Sequence, residues 1–188
     1  MSGTIRSFFA FDIEDHRIVR RMSEIQGMLA NTNADLKLVK PQNIHLTIRF
    51  LGDIQTPMVD SIYEEMKKVH FSPFKIEIRG VGAFPKLNYP RVIWAGIMKG
   101  SKELKDVFGQ LEPRLRGLGF KPDNKGFSPH LTIARVRTGR NKVRLADLIR
   151  ELEDYEFGIV NAECLRLKKS VLTPKGPIYS NLKEICGK

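Results

Sequence analysis

The stretches "NIHLTIRF" (residues 43–50) and "SPHLTIAR" (residues 128–135) share the tetrapeptide HLTI, so two of the chain's four histidines, His45 and His130, stand in the same local context. On an extended strand, side chains alternate between faces. His45 and Thr47 therefore share one face, with Leu46, Ile48 and Phe50 on the other; His130 and Thr132 pair in the same way, opposite Leu131 and Ile133. The apolar members anchor each strand to a core. An imidazole and a hydroxyl are left pointing together away from it, about 6–7 Å apart along the chain.

Imidazole gives or takes a proton near neutral pH more readily than any other side chain. A neighbouring hydroxyl can donate to an oxyanion or a phosphoryl oxygen. Two such pairs facing each other supply an acid, a base and two donors, which is what adding water to phosphorus while expelling an alkoxide requires. One copy alone would be an ordinary strand pattern, because Thr favours strands. Two copies in matching settings point to chemistry. A metal centre is the weaker reading, because neither histidine has Asp, Glu or Cys at ligand spacing.

The segments around the motifs repeat as well. Residues 7–13 read as a strand, and 14–30 as an amphipathic helix with Ile18, Met22, Ile25 and Leu29 on one face. The first motif strand closes at Gly52-Asp53, and Pro57 opens a helix through "MVDSIYEEMKKVHF". Strands at 75–84 and 91–98 follow, then a helix from Ser101 to about Leu118 in which Pro113 predicts a kink. The loop "KPDNKGFSP" leads into the second motif strand, the helix "VRLADLIRELEDY" and the final strands. The order strand, helix, His-strand, helix, strands thus occurs twice, with no linker between the halves, so two lobes packed as one body are expected. His16 and His70 lack a neighbouring Thr and fall in helical segments at the surface.

Composition narrows the partners. The 188 residues are 41% hydrophobic and 28% charged, as in ordinary globular chains, but the formal net charge is +11. Such an excess favours polyanions, chiefly RNA or DNA, or an anionic membrane surface. The longest apolar run near the start, at 8–11, is followed at once by acidic residues, so neither a signal peptide nor a spanning helix is expected. Cys164 and Cys186 have neither metal-ligand nor redox-pair spacing, a pattern that suits a reducing cytosol.

The paired HLTI motifs resemble the two His-x-Thr-x motifs of the two-histidine phosphoesterase superfamily. With "RSFFAFDI", "PQNIHLTIRFLGDI", "GVGAFP", "RVIWAGI" and "FSPHLTIARV", the chain is more closely similar to its RNA 2′,3′-cyclic phosphodiesterase branch, also called 2′-5′ RNA ligase. The resemblance implies an α+β fold in one domain over 1–188. Its two lobes carry pseudo-twofold duplicated antiparallel sheets, with helices on the outer faces and a central groove. It also implies metal-independent hydrolysis of a 2′,3′-cyclic phosphate to a 2′-phosphate in the cytoplasm, with no cofactor, by a monomer. His45 would be general acid toward the departing 3′ oxygen and His130 general base on water; Thr47 and Thr132 would hold the phosphate oxygens. Arg135 matches the family's Arg after the second motif and would neutralise phosphate.

Strict alternation, however, puts Arg135 on the wrong face, so a bulge or the strand end would have to re-aim it. Arg49 has the right parity in the first copy and is a second phosphate-binding candidate. Phe11 and Phe127 are candidates for stacking on a base. Reverse 2′-5′ ligation is the same chemistry with a 5′-hydroxyl in place of water. The alternatives are a phosphodiesterase for small cyclic nucleotides, which the charge disfavours, and a basic RNA-binding module without catalysis. The last lacks an RNA-recognition signature and leaves the repeated His-x-Thr unexplained.

Overall fold

The computed structural model describes residues 3–188. In chain order these form β1 (Thr4–Asp12), α1 (His16–Ala30), β2 (Leu36–Leu38), β3 (His45–Gln55), α2 (Met58–Met66), β4 (Phe74–Lys86) and β5 (Tyr89–Ile97). Then come α3 (Ser101–Gly117), β6 (His130–Val136), α4 (Lys142–Glu151), β7 (Glu156–Ala162), β8 (Cys164–Thr173) and β9 (Gly176–Cys186). The strands make two sheets, ordered β3-β1-β8-β9 and β2-β6-β5-β4-β7. Every ladder is antiparallel. This is the α+β architecture expected, with one motif strand in each sheet and β3 touching β6 where the sheets meet.

The lobes are not the two halves of the sequence. β1 pairs with β8, so the first sheet joins the two ends of the chain with β3 at its edge, while the middle of the chain supplies the second. The helices cross over as well. α1 packs on β6 and β7 of the second sheet and α4 on β4 and β5, whereas α2 and α3 cover β3. The amphipathic face of α1 decides its side: Ile18, Met22, Ile25 and Leu29 are all buried. Ile18 comes so close to Gly158 that a Cβ there would lie 3.3 Å from its side chain. The buried side chains of both sheets form one continuous apolar cluster.

Several local expectations change. β3 continues beyond Gly52 to Gln55, because a bulge at Leu51 and the positive φ of Gly52 (74°) bend the strand without ending it. α2 ends at Met66 rather than near Phe71. The backbone of His70 is taken by Gln110 of α3, which accepts from its N–H and donates to its carbonyl, both at 2.8 Å. His70 is exposed but outside the helix, and Phe71 packs edge-on against Phe11. α3 runs on through Pro113.

The cysteines require a correction. Cys164 and Cys186 lie directly opposite each other in the β8–β9 hairpin and form a disulfide. Their spacing along the chain carries no signal; only the hairpin register brings them together.

Candidate active site

Both HLTI strands carry the same irregularity. In β3 the pairing with β1 passes from Thr47↔Ala10 to Arg49↔Phe9, leaving Ile48 without an opposite residue. In β6 the pairing with β5 passes from Thr132↔Trp94 to Ala134↔Ile93, leaving out Ile133. Each bulge puts two successive side chains on the inner side and inverts the alternation that follows. Ile133 and Ala134 are both buried, and Arg135 emerges exposed on the face of His130 and Thr132. The bulge that Arg135 needed is therefore present, at the isoleucine of the motif itself.

The first copy answers differently. There the inversion turns Arg49 inward, away from His45 and Thr47, and brings out Phe50 at 58% exposure. The Arg49 side chain is only 11% exposed and pairs with Glu112 of α3 at 2.5 Å. It also donates to the carbonyls of Phe50 and Lys121, each at 2.6 Å. Arg49 is thus a tie between β3 and the segment leading to the second motif, and the phosphate-binding expectation for it is corrected.

Phe11 is likewise corrected. At 1% exposure, edge-on to Phe71 and Phe74, it has no open face for a base. Phe127 lies nearly parallel to Phe108 of α3, with ring centroids 5.0 Å apart, so one of its faces is taken by that ring. Alternation alone, without the bulge, could not have shown that Phe50 is the exposed ring beside the motif.

The imidazoles are held alike. His45 Nδ1 lies 2.6 Å from the carbonyl oxygen of Asn43, and His130 Nδ1 lies 2.7 Å from that of Ser128. With Nδ1–H donating to a carbonyl, Nε2 is left for proton transfer. Asn43 is itself buried, and its side-chain amide donates to Pro177 at 2.9 Å, tying the first motif to the start of β9. Phe8 and Tyr179 pack around His45 with centroids at 4.9 and 5.1 Å, and Phe84 meets His130 edge-on at 5.0 Å. Neither Asn43 nor Tyr179 had a signal in the sequence, since one acts through its backbone and the other arrives from a distant strand.

Burial holds both imidazoles below their ordinary protonation range. The hydrogen bonds to Asn43 and Ser128 oppose this, and for His45 so does the Asp12 carboxylate. The Arg135 guanidinium lowers His45 and His130 alike, and also acts against the upward shift that burial gives the Tyr179 hydroxyl. One cation from the second sheet therefore faces both histidines and the tyrosine of the first. Among the described residues, the candidate metal-ligand group is Cys164, Glu184 and Cys186, at the open end of the β8–β9 hairpin, and its thiols are joined in the disulfide.

The model of the LigT-like phosphoesterases matches this sequence over residues 13–94 and 97–179, one HLTI in each segment. The chain belongs to the LigT-like phosphoesterase family. Among proteins of this family, one from Aeropyrum pernix named RNA 2′,3′-cyclic phosphodiesterase is 39% identical, over 89% of this chain and 96% of its own. Another of that name, from Archaeoglobus fulgidus, is 38% identical over 95% of this chain and 98% of its own. The crystal structure of TT0787 of Thermus thermophilus superposes with a TM-score of 0.78 at 25% identity, covering 97% of each chain. Among the described residues, no helix of this LigT-like chain is long and apolar enough to cross a membrane.

Proposed function

We propose that the chain hydrolyses RNA 2′,3′-cyclic phosphate ends to 2′-phosphates by acid-base catalysis between His45 and His130, without a metal. The observation that supports this is Arg135, turned by the bulge at Ile133 onto the face of His130 and Thr132, where a cation suits an anionic phosphate. In this reading His130 takes a proton from water as its oxygen attacks phosphorus. The bond from phosphorus to the 3′ oxygen breaks, and His45 gives its proton to that oxygen. Thr47, Thr132 and Arg135 hold the non-bridging oxygens, whose charge rises as water adds. Phe50, and Tyr179 beside His45, offer aromatic surface for the terminal base.

The names of the relatives support the substrate class, and the net charge of +11 suits a polyanion. Both motifs come from one chain, so a monomer suffices, and RNA ends as substrate suit work in the cytoplasm. Reverse 2′-5′ ligation follows if a 5′-hydroxyl replaces water. The test is to incubate EDTA-treated protein with an oligoribonucleotide ending in a 2′,3′-cyclic phosphate and identify the product isomer. A 2′-phosphate supports the reading; a 3′-phosphate, or turnover only with added divalent ion, overturns it.

A further inference from the structure

Beneath His45, on the same face of the first sheet, lies a buried pair of opposite charges that proton transfer between the histidines does not use. Asp12 is the residue directly opposite His45 in the β1–β3 ladder. Lys168 of β8 is 7% exposed, and its ammonium meets both Asp12 carboxylate oxygens, at 2.8 and 2.7 Å, and the Asn181 amide oxygen at 2.9 Å. Arg166 joins Asp12 at 2.7 Å and reaches Glu184 of β9 at 2.6 Å. A buried ion pair is rarely a net gain in stability over apolar packing, so its position here calls for another reason.

We propose that Asp12 and Lys168 are positioning residues: their opposed charges, fixed at the base of His45, set the protonation state in which that imidazole works. The proposal rests on the reading of His45 as a proton-transfer group. The carboxylate favours the imidazolium, and the ammonium disfavours it. The other groups acting on His45 are Arg135 from β6, which disfavours the imidazolium, and the neutral ring of Tyr179 from β9, packed edge-on. Arg166, which meets Asp12, is itself paired with Glu14 and Glu184. His130 stands apart from the pair: among the described residues, the charge that bears on it is Arg135. The pair thus separates two histidines that share a motif, a bulge and a backbone hydrogen bond.

The expectation is a shift of opposite sign in two variants. Asp12→Asn leaves the ammonium and should move the His45 titration down by about half a unit or more; Lys168→Met leaves the carboxylate and should move it up. The double variant Asp12→Asn with Lys168→Met buries neither charge and should titrate between the two singles, below wild type but by less than Asp12→Asn, because the carboxylate is the stronger of the two influences. Its ordinary folding keeps the test open if a single variant leaves a buried charge unmet and unfolds. Imidazole titration of all histidines by NMR reads this without any substrate, so failure of the RNA reading leaves it interpretable. The pH profile of cyclic-phosphate turnover, where present, should move with His45 while the His130 titration stays fixed. If His45 titrates unchanged in folded variants, or moves the same way in both singles, the assignment is overturned. So it is if the double variant titrates as wild type does.

Discussion

Gln26 of α1 donates its side-chain amide to the main-chain oxygen of Ile133, the residue that bulges from β6, at 2.9 Å. The same amide donates to Val39 at 2.7 Å, and the Val39 N–H in turn reaches the Ile133 oxygen at 3.0 Å. A bulge leaves backbone groups outside the ladder, and buried ones must find partners. A helix from one side of the molecule therefore holds the irregularity that turns Arg135 toward the histidines.

Replacing Gln26 by Leu should lower stability by about 1 kcal/mol, because the part-buried Val39 carbonyl loses its donor while the Ile133 oxygen keeps the Val39 N–H. Chemical denaturation measures it. KM for a cyclic-phosphate substrate should rise in the same direction as in Arg135→Ala, because the guanidinium loses its aim. A Gln26→Leu protein with wild-type stability and KM would show that the bulge holds itself.

His45→Ala and His130→Ala should each cost at least ~10²-fold in turnover, the ordinary scale for one general acid or base. Binding of the RNA end should fall far less. EDTA should leave the wild-type rate unchanged. A variant turning over at the wild-type rate removes that histidine from the mechanism.

The rate should follow a bell in pH, with midpoints that belong to the pair. Burial lowers both imidazoles, so in kcat/KM the acid limb from His130 and the alkaline limb from His45 should both fall below the ordinary value of about 6.5. Stability follows the same sign. The unfolded chain binds protons at the higher pH, so the contribution of the neutral imidazoles is complete above about 6.5 and is lost as pH falls toward the folded values. A rate maximum above about pH 8 would reject the imidazole pair.

Arg49→Met should unfold more easily by about 3 kcal/mol, because the Glu112 side chain, only 9% exposed, keeps a charge met by no more than the Asp123 N–H at 3.3 Å. Adding Glu112→Leu should recover much of the loss. Once stability is restored, the affinity for a cyclic mononucleotide should return. An affinity that stays low in the stable double variant would restore Arg49 as a phosphate ligand.

Salt separates an extended RNA from its terminal phosphate. Affinity for a cyclic-phosphate-ended oligonucleotide should fall with a log–log slope of about 0.7 per phosphate neutralised, and that for a mononucleotide much less. Arg135→Ala should weaken both alike, since both present the reacting group. Equal slopes would favour small cyclic nucleotides as the substrate.

The two HLTI copies made the candidate chemistry legible in the sequence, because strand alternation is local and puts His beside Thr whatever the rest of the fold does. Amphipathic spacing likewise placed α1 and its buried face. Alternation failed at the last residue of each motif, Ile48 and Ile133, where a bulge depends on backbone partners supplied by other elements. One such inversion brought Arg135 to the histidines; the other sent Arg49 into the protein and exposed Phe50 in its place. Tertiary structure alone decided that β1 would lie between β3 and β8, since pairing of the chain's two ends has no local signature. That pairing put Lys168 and Asp12 under His45 and Tyr179 beside it, while the β8–β9 register set Cys164 against Cys186. Periodicity in a sequence tells a side chain which way to face; only the packed sheets tell it what it will meet there.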